Sequence, residues 1–234
     1  MARSTKIRSQ WRRWSIRVAF GVLAAVAVSV LMILPLRWID PVTSSFMLQD
    51  DSGRDPVLHA WVPWAQMGST AALAVVAAED QRFADHFGLD LSAISKSIEE
   101  QDKRGGLRGA STISQQVAKN LFLWSGRSYI RKGLEAWLTV VSELCLPKDR
   151  ILEIYLNIAE FGPGIYGIGA ASSYYFQLVP SRLTDSEAAL LAAVLPNPRQ
   201  LRVDRPSDYV RERQRWILTQ MQRLRREGWF TRLQ

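Results

Sequence analysis

The sequence predicts a mostly helical domain behind one N-terminal transmembrane helix. Three observations carry that expectation. Val18 to Leu36 is 19 residues without a charge, bounded by Arg17 and Arg37. From Ala71 onward, apolar residues recur at helical spacing almost to the end of the chain. The apolar–polar alternation that several half-buried strands would need is missing.

The N-terminal segment comes first. Arg3, Lys6, Arg8, Arg12, Arg13 and Arg17 precede the apolar run with no acidic residue among them. At about 1.5 Å per residue the run spans roughly the ~30 Å hydrocarbon core of a bilayer. Trp14 and Trp38 stand at its edges, where indole rings favour the interface. A cleavable signal peptide has a shorter apolar centre and a small-residue cleavage site, and Leu34-Pro35-Leu36-Arg37-Trp38 is a poor one. The segment therefore reads as an uncleaved signal anchor. Its basic flank should stay cytoplasmic, which places residues from about 40 outward.

The expected division is a basic tail over 1–17, an anchor over 18–38, a linker over 39–65 and a domain over 66–234. The linker holds Pro41, Pro56 and Pro63, with room for a short strand. A chain of 234 residues can bury a sizeable core in one such domain. Its net charge of +8 and pI near 10.0 call for an anionic partner. Outside the inner membrane that partner is acidic lipid or a lipid pyrophosphate. No nucleic-acid-binding motif occurs, so no nucleic acid is expected. A single cysteine, Cys145, excludes an intramolecular disulfide.

Helices are expected at about 71–83, 90–103, 112–123, 128–145, 148–157, 184–194 and 207–227, with Asp90, Ser111, Thr184 and Ser207 as N-caps. Two glycine-rich stretches read as loops: Arg104–Ala110, which is also basic, and Phe161–Gly169. Neither has the ending or context of a phosphate-binding fingerprint. His59 and His86 have no zinc-ligand spacing, and no nucleophile elbow supports a serine triad.

Four stretches could carry chemistry. The first helix of the domain brings Glu79 and Asp80 to its end, where partial desolvation would suit a carboxylate to proton transfer. Taken alone, the pair would equally cap a solvated helix end. In Ser111–Asn120, the spacing puts Ser111, Gln115 and Lys119 on one polar stripe, with Gln116 and Asn120 facing differently. Such a stripe suits a polyhydroxylated ligand or plain solvent. Arg131 and Lys132 lie four and three residues before Glu135, the pattern of an ordinary surface ion pair or of a pyrophosphate site. Lys148–Asn157 reads as an amphipathic helix whose Ile151, Ile154 and Tyr155 are mostly core, with Asn157 at its end.

In order, these segments stand as Glu79-Asp80-x-x-Phe83-x-x-His86-x-Gly88, Gly109-x-Ser111-Thr112-Ile113-x-Gln115-Gln116-x-x-Lys119-Asn120, Arg131-Lys132-x-x-Glu135 and Lys148-x-x-Ile151-x-x-x-Tyr155-x-Asn157. Together with Leu195-Pro196-Asn197-Pro198 they resemble glycosyltransferase family 51, the peptidoglycan glycosyltransferases, in the short monofunctional form. The resemblance covers about residues 60 to 220 and departs at no motif position. It implies a lysozyme-like, two-lobed glycosyltransferase domain with the smaller lobe near the membrane. It implies lipid II and the growing glycan strand as substrates, with inversion and release of undecaprenyl pyrophosphate.

By the same resemblance Glu79 matches the general base and Glu135 the second carboxylate, which assists at the pyrophosphate or positions the acceptor. Lys119, Arg131 and Lys132 would neutralise pyrophosphate charge, and Asp80, Ser111, Gln115, Gln116 and Asn120 would orient sugars or the site. No cofactor is required by the sequence, although a divalent cation, magnesium or manganese, could share the pyrophosphate's charge. Leu121–Trp124 would either dip among lipid headgroups or pack into the small lobe. No Ser-x-x-Lys, Ser-x-Asn or Lys-Thr-Gly occurs, so cross-linking is expected from a partner transpeptidase, with divisome or elongation proteins as further partners. A glycan-cleaving enzyme on the same fold and a non-catalytic scaffold are the rival readings. The cations Lys119, Arg131 and Lys132 argue for synthesis.

Overall fold

A computed structural model describes residues 2–90, 92, 111–126 and 128–233. Helix α1, Ala2–Ile33, runs into a 3-10 turn at Leu34–Arg37. Together with that turn, Trp14–Arg37 has a mean hydropathy of 2.6 and is almost wholly uncovered by the rest of the protein. Among the described residues it is the one helix long and apolar enough to cross a membrane. Its end nearest the domain is not free. Ile33 is fully buried, and the Trp137 indole donates to Ser29 Oγ at 2.9 Å. Beyond it Arg150 donates to the carbonyls of Leu36 (2.7 Å) and Ile39 (3.1 Å) and pairs with Asp40 at 2.8 Å.

Residues 39–65, expected as an extended linker, are packed into the domain. Ser44 caps α2, Ser45–Leu48, which buries Met47. Strand β1, Leu58–His59, pairs in parallel with β3, Ile165–Tyr166, which pairs antiparallel with β2, Glu160–Gly162. The short helix α3, Trp64–Met67, follows. Phe46, Leu58, Trp61, Val62 and Trp64 lie against the core, so this proline-punctuated stretch repays its ordering entropy with apolar contact. Asn157 clamps it: its Oδ1 accepts from Val62 N at 2.8 Å and its Nδ2 donates to Val62 O at 2.9 Å.

Two helical groups make the domain. Helix α4, Ser69–Glu79, packs with α9, Asp185–Val194, and α10, Asp208–Arg226. Helix α5, Ile113–Phe122, packs with α6, Tyr129–Cys145, and α7, Lys148–Ile158, while α1 leans on α6. Residues 71–77 of α4 are buried on every side, so this helix is a core rod and not an amphipathic one. Burying each of Leu73, Val75 and Val76 contributes about 2 kcal/mol.

The first helix was expected to reach 83. It stops at Glu79, because Asp80 turns to φ −159°, ψ 76° and spends its carboxylate on another element. Helix α8, Ile168–Phe176, was not expected at all. Its Ile168, Ala170 and Ala171 are buried, and the glycines that read as loop include Gly167, at φ 82°. A Cβ there would sit 2.6 Å from Asn157 O, so only glycine fits this turn.

Thr184 and Ser207 cap α9 and α10 as their sequences suggest. Thr112, not Ser111, caps α5, with Gln115 closing a capping box. The helix expected over 90–103 and the basic glycine-rich loop over 104–110 fall almost wholly outside the described residues. Leu121 and Leu123 are buried in the helical group around α5, leaving Trp124 half-exposed.

Candidate active site

The site is built where the two helical groups meet. Helix α4 ends by presenting Glu79 to α5. Gln116 Nε2 donates to Glu79 Oε2 at 2.9 Å, and Tyr155 Oη, from α7, donates to Gln116 Oε1 at 3.0 Å. On the other oxygen, Arg213 Nη2 of α10 stands 3.4 Å from Glu79 Oε1 and also donates to Ala78 O at 3.3 Å. Glu79 thus joins three elements. Burial pushes its pKa up from the ordinary carboxylate value, against the opposing pull of Gln116 and Arg213. Burial likewise raises the Tyr155 phenol well above its usual value, with the Glu79 and Asp80 charges adding to the effect, so Tyr155 stays a neutral donor.

Asp80, next in sequence, is employed differently. Its Oδ2 accepts from Ile113 N at 3.0 Å, and both its oxygens lie within 3.0 Å of His86 Nε2. The carboxylate therefore holds the N-terminus of α5, where an anion also meets the helix dipole. The side chain is buried and engaged within the protein, so it supports the cleft and does not line it. His86 and Gly88 shape the same turn. Gly88, at φ 74°, leaves no room for a Cβ against Thr139 and Glu143, and its carbonyl accepts from Thr112 Oγ1 at 2.5 Å.

Helix α5 divides its polar residues by angle. Gln115 Oε1 accepts from Thr112 N at 3.0 Å, so this side chain is buried in the cap and not on the expected stripe with Lys119. The cleft face is instead Gln116, Lys119 and Asn120. These three line a cavity of about 160 Å³ with Phe46, Tyr155, Glu160, Tyr166, Leu195, Pro196 and Pro198. Lys119 Nζ lies 5.2 Å from the Phe46 ring centre, a cation–π contact. Asn120 Oδ1 is buried with no partner, an acceptor available to a ligand.

Helix α6 supplies the second carboxylate. Arg131 Nη1 is 2.8 Å from Glu135 Oε2, and Lys132 Nζ pairs with Oε1. The local pattern suggested a surface ion pair, but Glu135 is 2% exposed. Lys132 also reaches Ser111 Oγ at 3.5 Å, which ties Ser111 to this group and not to the cavity wall. Burial lowers the pKa of Lys119. The Glu135 and Glu79 charges oppose that shift, while Arg131 and Lys132 reinforce it. Lys119 therefore stands within electrostatic reach of both carboxylates. Among the described residues no three histidine, cysteine or carboxylate groups converge as metal ligands would.

The structure brings Gln116, Lys119 and Asn120 to the cavity, with Glu79 bonded to Gln116, and with Arg131, Lys132 and Glu135 in electrostatic reach of Lys119. It turns Asp80 and Gln115 inward. Sequence reading missed Arg213, one of six arginines on a strongly charged helix, which no spacing singles out. It also missed Phe46 and Glu160, whose approach to the cleft depends on a packed segment and a small sheet. Tyr155 was taken as core, and its hydroxyl signals its role only once Gln116 is seen beside it.

A helical cleft with one partly buried carboxylate on a neutral hydrogen-bond relay and a buried second one clasped by cations defines a glycosyl-transfer site of the lysozyme-like class. The family model described as Transglycosylase matches residues 50–222, and the chain belongs to that family. It is 48% identical over 219 residues to the biosynthetic peptidoglycan transglycosylase of Stutzerimonas stutzeri, across 91% of this chain and 90% of that protein. It is 50% identical over 215 residues to the protein of the same name from Shewanella oneidensis, across 90% and 91%. The Pseudomonas aeruginosa protein of that name is 46% identical over 215 residues, across 89% and 93%.

Proposed function

We propose that this protein polymerises lipid II into glycan strands, inverting the anomeric centre and releasing undecaprenyl pyrophosphate. The observation that carries the reading is Lys119, in electrostatic reach of both a partly buried acid suited to taking a proton and a cluster of cations suited to a pyrophosphate. Glu79 accepts the proton of the incoming 4-hydroxyl, and the freed oxygen pair forms the new bond to the anomeric carbon. The bond from that carbon to the pyrophosphate breaks on the opposite face, and its electron pair leaves with the phosphate. Lys119, Arg131 and Lys132 stabilise that growing charge. Gln116 aims the base, while Asn120 offers an acceptor to a sugar hydroxyl or amide.

A divalent cation would arrive with the substrate's pyrophosphate, because both oxygens of Glu135 are already held by Arg131 and Lys132. The basic flank of α1 favours a cytoplasmic tail and a periplasmic domain at the inner membrane. There the anchor raises the local concentration of polyprenyl substrates, and a separate transpeptidase and the elongation or division machinery complete the wall. Incubating the protein with purified lipid II tests the reading: glycan polymer is expected. Degradation of isolated sacculi without polymer would replace it with a glycan-cleaving enzyme.

A further inference from the structure

We propose that Arg213 is a positioning residue that keeps the Glu79 carboxylate ionised and aimed, acting from a helix outside all four motifs. The proposal rests on Glu79 being the base. Arg213 Nη2 lies 3.4 Å from Glu79 Oε1 and donates to Ala78 O at 3.3 Å, so it grips both the carboxylate and the last turn that carries it. A cation at a helix C-terminus is also favoured by the dipole. Of the six arginines on α10, the five at 211, 215, 223, 225 and 226 are exposed, while the Arg213 side chain is 22% exposed. Its Nε is buried without a partner, so burying this guanidinium is compensated chiefly through its Nη2 contacts.

The groups facing Glu79 can be taken element by element. From α5 come Gln116, neutral, and Lys119, which also answers to Glu135, Arg131 and Lys132. From α7 comes Tyr155, a neutral phenol reaching Glu79 through Gln116. Asp80, beyond α4, adds a like charge that favours the protonated acid. From α10 comes Arg213. Lys119 is the cation a bound pyrophosphate would draw on, whereas Arg213 stays with Glu79 when substrate arrives. Without it a desolvated carboxylate would hold its proton to a higher pH and fail as a base near neutrality.

The test is the pH profile of initial lipid II polymerisation by the full-length protein in detergent, for wild type, Arg213→Gln, Arg213→Lys and Glu79→Gln. Arg213→Met, which keeps the aliphatic stem, is a second neutral variant should Arg213→Gln fail to fold. The neutral variants should move the acid limb to higher pH by about 1 unit. That is about a fivefold loss at the wild-type midpoint, closing toward the alkaline plateau. Arg213→Lys should keep the wild-type limb. A folded neutral variant whose rate falls by one factor at every pH, with its limb unmoved, overturns the proposal and leaves Arg213 a structural strut. An Arg213→Lys limb displaced as far as that of Arg213→Gln overturns it too. Wild-type polymerisation by Glu79→Gln would instead remove the base assignment itself.

Discussion

Glu79, partly buried, and Glu135, buried, are two carboxylates within electrostatic reach of Lys119, and they are held in opposite ways. Glu135 has a cation on each oxygen, Arg131 at 2.8 Å and Lys132 on the other, both from its own helix. Glu79 has a neutral amide on one oxygen and a single guanidinium at 3.4 Å on the other, from two different helices. A carboxylate paired on both oxygens serves as the counter-ion of a cationic cluster. One held by an amide and a longer charge contact keeps a lone pair available and can exchange a proton. Burial alone does not make a base; the number and closeness of the cations decide it.

The largest effect expected from breaking this contrast is on rate. Glu79→Gln keeps the shape and the Gln116 contact but cannot take a proton, and polymerisation should fall by about 10²–10⁴-fold with the fold intact by circular dichroism. With Glu79 as the proposed base, the rate should be present at high pH and lost as pH falls through the raised Glu79 value. The acid limb of the pH–rate profile should therefore lie above the ordinary glutamate value of about 4.3.

Glu135→Gln should act first on stability. It leaves Arg131 facing a neutral amide in a buried setting, at a cost of about 3 kcal/mol in chemical denaturation. That figure is at the low end because Lys132 is half exposed. An unchanged denaturation midpoint would show that Glu135 is not the counter-ion its geometry describes.

The adjacent glutamines give a finer contrast. Gln116→Leu removes a hydrogen bond to a charged group and should slow polymerisation about tenfold while sparing stability. Gln115→Ala opens the α5 capping box and should cost about 1 kcal/mol of stability with little change in rate. The reverse pattern in the two variants would mean that α5 presents its other face to the substrate.

Much of the molecule was legible in the residues. The membrane-length apolar helix, the helical class, five of the described helices near their observed limits and the caps Thr184 and Ser207 follow from spacing and local chemistry. The choice of Glu79 and Glu135 as the acids to watch comes from the resemblance to the family, since local pattern alone reads the first as a solvated helix end and the second as a surface ion pair. The misreadings share one cause, since each concerned which partner a side chain finds. Gln115 and Gln116 are neighbours of identical chemistry, and their angular positions on α5 separate cap from cleft. Residues 39–65 read as linker because prolines mark irregular backbone, while their aromatic residues find a core that only the folded chain supplies. The glycines before α8 read as loop because local propensity cannot foresee that Asn157 O will press against Gly167.

The sequence by itself determined that this protein has a membrane-length apolar helix, a helical transglycosylase domain and a set of acids and bases suited to pyrophosphate chemistry. Composition, periodicity and motif order are local properties, and a single chain states them. Only the tertiary structure decided that Asp80 is a strut for α5 and that Glu79 answers to Tyr155 through Gln116. It alone brought an arginine from 134 positions further along the chain to Glu79. Desolvation and charge contact depend on what packs opposite, and that partner is chosen by the folded core.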